Sequence, residues 1–541
     1  MHKAFGVLAA AAVLATGGVS FAADLQGHVV ALSGRTDQYG PGFSAYGDNT
    51  FGQFGKAMIN NAGQIAFGSS NQNFIGFGSV AVSSLFLYQP GSGLELVARA
   101  EGDSAPFANV ETPYLAADGS VAFRGLRTGG NSGFSYKAIG NSPTLVAEVG
   151  NTTNGTPPAG TNYGTLTING AFAYRGGNLA FGATLQGPDV TFTTQNVLVR
   201  STNGAQGVLL TREGASGSNP LGTDNGNTTW NLNINPFAVN TRGDVAFLGG
   251  YGNAANYGEP SVFGVIDGVS GEVTTVAVSK QPVAGATGLS YTFLQGSGRI
   301  DINDAGSVVW MGRAGGANPN VLSKRVGSTT TLLARAGDTL DGTAITGFSA
   351  TRDPVIAGDG AVYFEATIGN VGQFGIFRHS DADGFKLMVA TSDATRGPGG
   401  GLAFSDITQL SANAGGEFAF YATLSGAGIT SANDEALYAY RGGMLSLIAR
   451  EGDLFDVDPT SGVDLRTIYA IVSDPTLINS GGQDGRRNMI NDSGDIAYSL
   501  LFKDGGAYTA GVFISPGGAV PEVGSLAMLG IGAAGLLLRR R

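Results

Sequence analysis

The chain has 541 residues, a formal net charge of −11, 89 glycines, 42% hydrophobic and 13% charged residues, and no cysteine. Glycine this frequent without a third-residue period excludes collagen, and the hydrophobic content can bury a core, which excludes a disordered chain. An acidic balance is wrong for nucleic acid, whose phosphates need a basic face, so no nucleic-acid partner is expected.

The first 22 residues read as a secretory signal: Lys3, an apolar run to Val19, and Ser20-Phe21-Ala22 before Ala23. Small residues at both recognition positions place cleavage between Ala22 and Ala23.

From residue 60 onward one pattern recurs, Asn-x-x-Gly-x-x-Ala-Phe. It is clearest at Asn60, Asn240 and Asn413, with altered copies beginning at Ala116, Tyr174, Asn303, Ala357 and Asn491. Eight starts at a mean spacing of about 62 residues define a repeat architecture. Asn closes an Asx turn and the glycine three residues on can take φ > 0, so the first half is a tight turn feeding a strand. In that strand Ile65 and Phe67 share one face and Ala66 takes the other, a small residue opposite large ones that lets neighbouring sheets approach.

A hairpin follows each copy, as in 85–88, a Gln-Pro-Gly-Ser-Gly turn and 94–99. Its second strand closes on a recurrent arginine (Arg99, Arg212, Arg335, Arg450), often followed by Gly-Asp (Gly102-Asp103, Gly337-Asp338, Gly452-Asp453). These read as blade-edge residues, the arginines pairing with the acids. Seven such second strands stand against eight copies of the first motif, and the missing one lies at the other end, in 28–33 before the first copy. Pairing the N-terminal strand with the C-terminal ones closes a ring. The expected fold is therefore all-β, a propeller of about eight blades of three or four antiparallel strands in one domain, 23–518.

Chemistry-bearing residues are few. His28 and His379 are the histidines left after signal removal, and no Gly-x-Ser-x-Gly elbow accompanies them, so nucleophilic triads and zinc sites are not expected. Asp381 and Asp383, and Asp453, Asp456 and Asp458, are candidate calcium ligands, with ordinary turn chemistry as the competing reading. Paired carboxylates for glycoside hydrolysis stay open, because their separation belongs to the fold. The unit between Asp453 and Asn491 is the longest and carries an insertion with Arg466, Tyr469, Asp474, Asp484, Arg486 and Arg487, either a binding loop or a solvated one.

The tail, 519–541, has three parts: Val520-Pro521-Glu522-Val523, an uncharged stretch from Val523 to Leu538, and Arg539-Arg540-Arg541. Those 16 uncharged residues fall short of the roughly 20 of a stable span, which fits a temporary membrane tether halted by the terminal arginines. This tail resembles the PEP-CTERM sorting signal of Gram-negative bacteria, with Val523 where the family has its second proline. The body resembles exported bacterial proteins with tandem NxxGxxAF repeats. The resemblance implies recognition by an exosortase-type processing enzyme, transient inner-membrane insertion, and residence at the cell envelope, outer surface or extracellular matrix. It also implies an association with exopolysaccharide and brings no established activity; with so few chemistry-bearing residues, a non-enzymatic binding or structural role without a cofactor is expected, and a secreted glycosidase or lyase with carboxylates on one propeller face is the alternative. The span 23–518 holds 26 basic and 40 acidic residues, a formal charge of −14.

Overall fold

The computed structural model describes residues 28–33, 53–70, 84–100, 107–111, 113–150, 160–166, 172–191, 195–213, 230–251, 261–292, 294, 300–315, 320–349, 351–369, 372–393, 395–458, 463–473, 479–504 and 507–517. The proposed signal and its cleavage site (Ala22, Ala23), Asp103, Asp474 and the whole tail motif lie outside them.

The described residues form strands and turns with no helix, arranged as eight antiparallel sheets. Blade one is Met58–Ile59, Ile65–Ser69, Ser84–Gln89 and Gly93–Arg99, hydrogen-bonded in that order. Blades two to seven follow along the chain with the same four-strand meander. In blades two, three and six the first strand is split in two, as in Phe107–Val110 and Tyr114–Leu115, both pairing Val121–Arg127. Blade eight is Leu465–Ile471, Ile496–Asp504, Ala507–Ser515 and, as its fourth strand, His28–Leu32. The closing register runs from His28 opposite Ile514 to Leu32 opposite Gly511, so the N-terminal strand completes the last blade as the seven-to-eight mismatch predicts.

The core is not central. It is eight separate apolar clusters, each spanning two adjacent blades and together linking every blade to the next. The repeat explains this directly, because alternation along the second strand sends successive motif residues to opposite faces. Ala66 of blade one lies in the same cluster as Phe123 of blade two. The pairs Ala122 with Phe181, Ala180 with Phe247, and Ala246 with Trp310 continue the series. Val309 with Phe364, Tyr363 with Phe420, Ala419 with Tyr498, and Ala497 with Phe67 complete the circle. A methyl-sized side chain meeting a buried ring at each seam sets the blade spacing. The exceptions are Val309, with its larger side chain, and Tyr363, whose ring centroid lies 5.6 Å from that of Phe418.

The motif asparagine does more than shape its own turn. Asn60 Oδ1 accepts the N–H of Ala62 and Gln64, while its Nδ2 donates to Ala116 O in the next blade at 2.8 Å. The same clamp joins Asn240 to Asn303 O, Asn303 to Ala357 O and Asn413 to Asn491 O. Asn491 Nδ2 reaches Asn60 O at 3.2 Å and closes the circle. In blade three the asparagine has moved to Asn178, after Gly176-Gly177, and still clamps Thr241 O of blade four at 3.0 Å.

A channel filled by the chain itself

The first strand of every blade is its inner edge, and an inner edge leaves backbone N–H and C=O groups without a ladder partner. Eight such edges face one axis. Residues 479–490, from the long insertion of blade eight, occupy that axis and bond to the edges one after another. Ser480 O accepts from Ala412 N of blade seven at 2.9 Å, and Asp484 O from Val239 N of blade four at 2.9 Å. Gly485 O accepts from Tyr174 N of blade three at 2.8 Å, and Asn488 O from Ile59 N of blade one at 3.1 Å. Blade six is reached by Asn479 Nδ2 on Asp353 O, and blade two by Arg487, whose guanidinium carbon sits 4.9 Å from the Tyr114 ring centroid. Within the insertion, residues 479–490 are thus neither a rim binding loop nor a solvated one but an internal plug that circles the axis against the order of the blades, while Arg466 and Tyr469 lie on the first strand of blade eight.

Its composition permits this. Gly485 adopts φ +73°, and a Cβ there would lie 2.7 Å from a Val239 methyl and 3.0 Å from the Tyr174 backbone. Asp484 holds the turn, accepting the N–H of Gly481 at 2.8 Å and of Arg486 at 2.9 Å.

Arg486 is the hub. Its fork donates to Phe237 O of blade four (3.0 Å), Ile300 O of blade five (2.6 Å) and Asn479 O of the plug (3.0 Å). The same guanidinium is 3.9 Å from Asp301, 3.6 Å from Asp353 and 3.8 Å from Asp484, all nearly inaccessible to water. Burial, reinforced by the neighbouring Asp484 and only partly offset by Arg486, holds the Asp301 carboxyl well above the usual carboxylate range. A planar five-donor group can serve three carbonyls and several carboxylates at once, which lysine cannot.

Beside the plug, between blades six and seven, lies a second charged group. Arg352 is 3.8 Å from both Glu365 and Asp406. Arg352 and Glu365 are buried, while the Asp406 side chain is 48% exposed and opens the cluster to solvent. Burial pushes the Glu365 carboxyl up to about 7 against the pull of Arg352. A cavity of about 20 Å³ against the plug, lined by Ile59, Asn61, Tyr174, Arg175, Arg486 and Asn488, has room for one water and not for a sugar ring.

The acids singled out from sequence are dispersed. Asp381 and Asp383 sit at the hairpin turn of blade six, Asp381 3.2 Å from Lys324 and Asp383 3.2 Å from Arg378. The bond from Arg378 and one from Ser380 hold the Asp383 carboxyl below its usual range. Asp453 pairs with Arg450 at 2.6 Å and Asp338 with Arg335 at 3.3 Å, the arginine–acid pairing expected of the strand endings. Asp456 Oδ1 accepts the N–H of Asp458 and Asp464. Among the described residues no group of three or more His, Cys, Asp or Glu is placed to hold a metal ion. His28 lies in the closing strand, and the ring of His379 packs 4.5 Å from Phe385, where burial lowers its pKa. Arg352, Asp353 and Glu365 of blade six and Asp301 of blade five went unnoticed in the sequence because the groups they meet, Asp406 and Arg486, stand in other units.

The profile of a family of unknown function (DUF7453) matches residues 4–317 and 99–527. No curated protein matches the chain. Among solved structures, the β-propeller domain of the Trilobed protease from Pyrococcus furiosus is similar at 9% identity and a TM-score of 0.37, over 75% of this chain and 100% of that one. A puromycin-hydrolyzing peptidase of Mycobacterium tuberculosis is similar at 12% identity and a TM-score of 0.40, over 88% of this chain and 61% of that one. An oligogalacturonate lyase solved with manganese is similar at 11% identity and a TM-score of 0.33, over 91% of this chain and 98% of that one.

Proposed function

Because the chain belongs to a family of unknown function, DUF7453, we propose its role from its own residues: an exported, non-enzymatic β-propeller that serves as a binding or structural component of the cell envelope or extracellular matrix. The observation that carries the scaffold part of this reading is the plugged axis. Segment 479–490 takes up inner-edge hydrogen bonds around the ring, and Arg486 ties the plug to blades four, five and six. Such a ring is a rigid mount for the loops on its faces. Export, sorting by an exosortase-type enzyme acting at Val520-Pro521-Glu522-Val523, and exopolysaccharide as partner follow from the tail and repeat resemblance.

The test is a melt of the full-length protein with and without the exopolysaccharide of its host. A ligand confined to the folded state and present at 100 times its Kd adds about 2.7 kcal/mol, a visible rise in Tm. An unchanged melt across a wide range of polysaccharide concentration removes the glycan from this reading.

A second reading, a secreted glycosidase or lyase, draws on Glu365. A carboxyl held near 7 is protonated in part at neutral pH, as a general acid must be, and the solvent-facing Asp406 lies across Arg352 from it. Glycan cleavage that survives both Glu365→Gln and Asp406→Asn rejects this site.

A further inference from the structure

We propose that a proton holds the plug in place: Asp301 of blade five is a carboxylic acid at neutral pH and donates its O–H to Asp484 of the plug, and loss of that proton at higher pH releases segment 479–490 from the inner edges. The device lies wholly on the axis and stands apart from export and from the glycan.

Charge does not balance around the hub. Asp301 and Asp484 are both fully buried and share the Arg486 guanidinium at 3.9 and 3.8 Å, with Asp353, 4% exposed, 3.6 Å from the same group. Ionised together, Asp301 and Asp484 alone outnumber that cation in a place water does not reach, and like charges so placed keep one proton between them. The hydrogen bonds say which acid carries it. Asp484 is filled as a carboxylate should be: Oδ1 accepts from Ser480 Oγ at 3.3 Å and Arg486 N at 2.9 Å, and Oδ2 from Gly481 N at 2.8 Å. Asp301 Oδ2 accepts from Ile356 N at 2.8 Å, but among the described residues its enclosed Oδ1 has no donor. A buried acceptor without a donor is costly, and protonation turns it into a donor. Asp484 lies within hydrogen-bonding reach of that side chain, so the proton joins the two acids through a charge-assisted bond.

The position of this proton couples it to the plug. Asp301 lies on the inner strand Ile300–Ile302, next to Ile300, whose carbonyl Arg486 holds. Gly481 of the plug comes so close that a Cβ there would stand 3.3 Å from Asp301 Oδ2 and 2.7 Å from Ile356 O. The groups facing Asp301 are Asp484 and Arg486 from the plug, with Asp353 of blade six and Tyr114 of blade two around Arg486. The strands packed against its own, Trp230–Val239, Val245–Tyr251, Val308–Gly312 and Val355–Ile356, carry no charged residue. A charge on Asp301 therefore repels the turn that Asp484 builds, with Arg486 already engaged by both acids. Burial and Asp484 raise the Asp301 pKa, so the stabilisation of the seated plug is complete below the ordinary aspartate value of about 3.9 and is lost as pH rises through the folded value.

Infrared spectra of the full-length protein, with its aspartate carboxyl carbons isotopically labelled so that their bands separate from those of Glu365, read the proton directly. At pH 7 a protonated aspartate carbonyl band is expected in the wild type and not in Asp301→Asn, whose amide keeps a donor for Asp484 and an acceptor for Ile356 N. Native-state hydrogen exchange reads the release, because the amides of Ile59, Tyr174, Val239 and Ala412 donate to plug carbonyls. Their protection factors in the wild type should match those in Asp301→Asn near pH 4, fall below them by up to tenfold per pH unit as pH rises, and level off once Asp301 is ionised. Glu365 titrates in both proteins and cancels in that ratio. The proposal is overturned if the wild type shows no protonated aspartate band at pH 7, if Asp301→Asn leaves the band in place, or if the ratio of protection factors stays constant from pH 5 to 9. The wild-type band needs no variant, so a failure of Asp301→Asn to fold leaves that readout standing.

Discussion

Glu365 concentrates the electrostatic problem of this fold in one side chain. It lies on the second strand of blade six, buried, with Arg352 3.8 Å away as its counter-charge. Burial disfavours its charged form more than that arginine favours it, so its folded pKa rises to about 7 from an ordinary 4.5. The folded protein then binds a proton more tightly than the unfolded chain, and the linked stability is present in full below about pH 4.5 and lost as pH rises through 7. Wild type is expected to lose up to roughly 3 kcal/mol from this group between pH 5 and 8. Glu365→Gln keeps the shape and neutrality of the protonated carboxyl and removes the titration, so the two urea midpoints should lie closest below about pH 4.5 and the wild type should fall progressively below the variant as pH rises through 7. A difference independent of pH across that window refutes the assignment. Asp301, also raised, sits in the other cluster and titrates identically in both proteins, so it cancels in the comparison.

At the scale of the element, the unit that matters is the Asn-x-x-Gly turn with its strand, and most of its logic is readable from residues. The Asx turn, the glycine with φ > 0 and the small-against-large alternation all follow from residue type, and Gly63, Gly243 and Gly416 take φ of +72°, +82° and +86°. The reach of asparagine Nδ2 into the following blade was not readable, because nothing in a local turn says what stands beside it. Asn491→Ala tests the clamp where it closes the ring. The variant loses the Oδ1 bonds from the N–H of Ser493 and Asp495 and the Nδ2 bond to the buried Asn60 O, which keeps only its turn bond from Gly63 N. A loss of about 1–3 kcal/mol is expected. Asn491→Asp, which keeps the accepting oxygen and removes the donor, should restore the turn and not the clamp. If Asp restores full stability, the inter-blade bond contributes nothing measurable.

Across the whole molecule, the plug decides whether eight blades behave as one body or as eight. A stack of repeats in which each touches only its neighbours loses structure piecemeal, since its stability is a sum of local terms. Here a single twelve-residue segment bonds to inner edges far apart around the ring, so its release uncovers all of them at once. This part of the fold was invisible in the sequence. The run 480–487 shows only an unusual density of glycine and charge in a chain that is 13% charged, and its partners, from Ile59 to Ala412, lie tens to hundreds of residues away with no periodicity to reveal them. Arg486→Met is the decisive variant. It leaves the carbonyls of Phe237, Ile300 and Asn479 without a donor and three buried acids without their cation, a cost of about 3–5 kcal/mol for a broken buried ion cluster. Native-state hydrogen exchange then reads the amides of Ile59, Tyr174, Val239 and Ala412, which donate to the plug from blades one, three, four and seven. In the wild type they should exchange slowly, and in Arg486→Met all four should accelerate by a common factor, although only Val239 lies in a blade whose bonds to Arg486 were cut. Acceleration confined to blades four to six would mean that the plug is held blade by blade, and that the ring owes its unity to the closing strand and the eight seams alone.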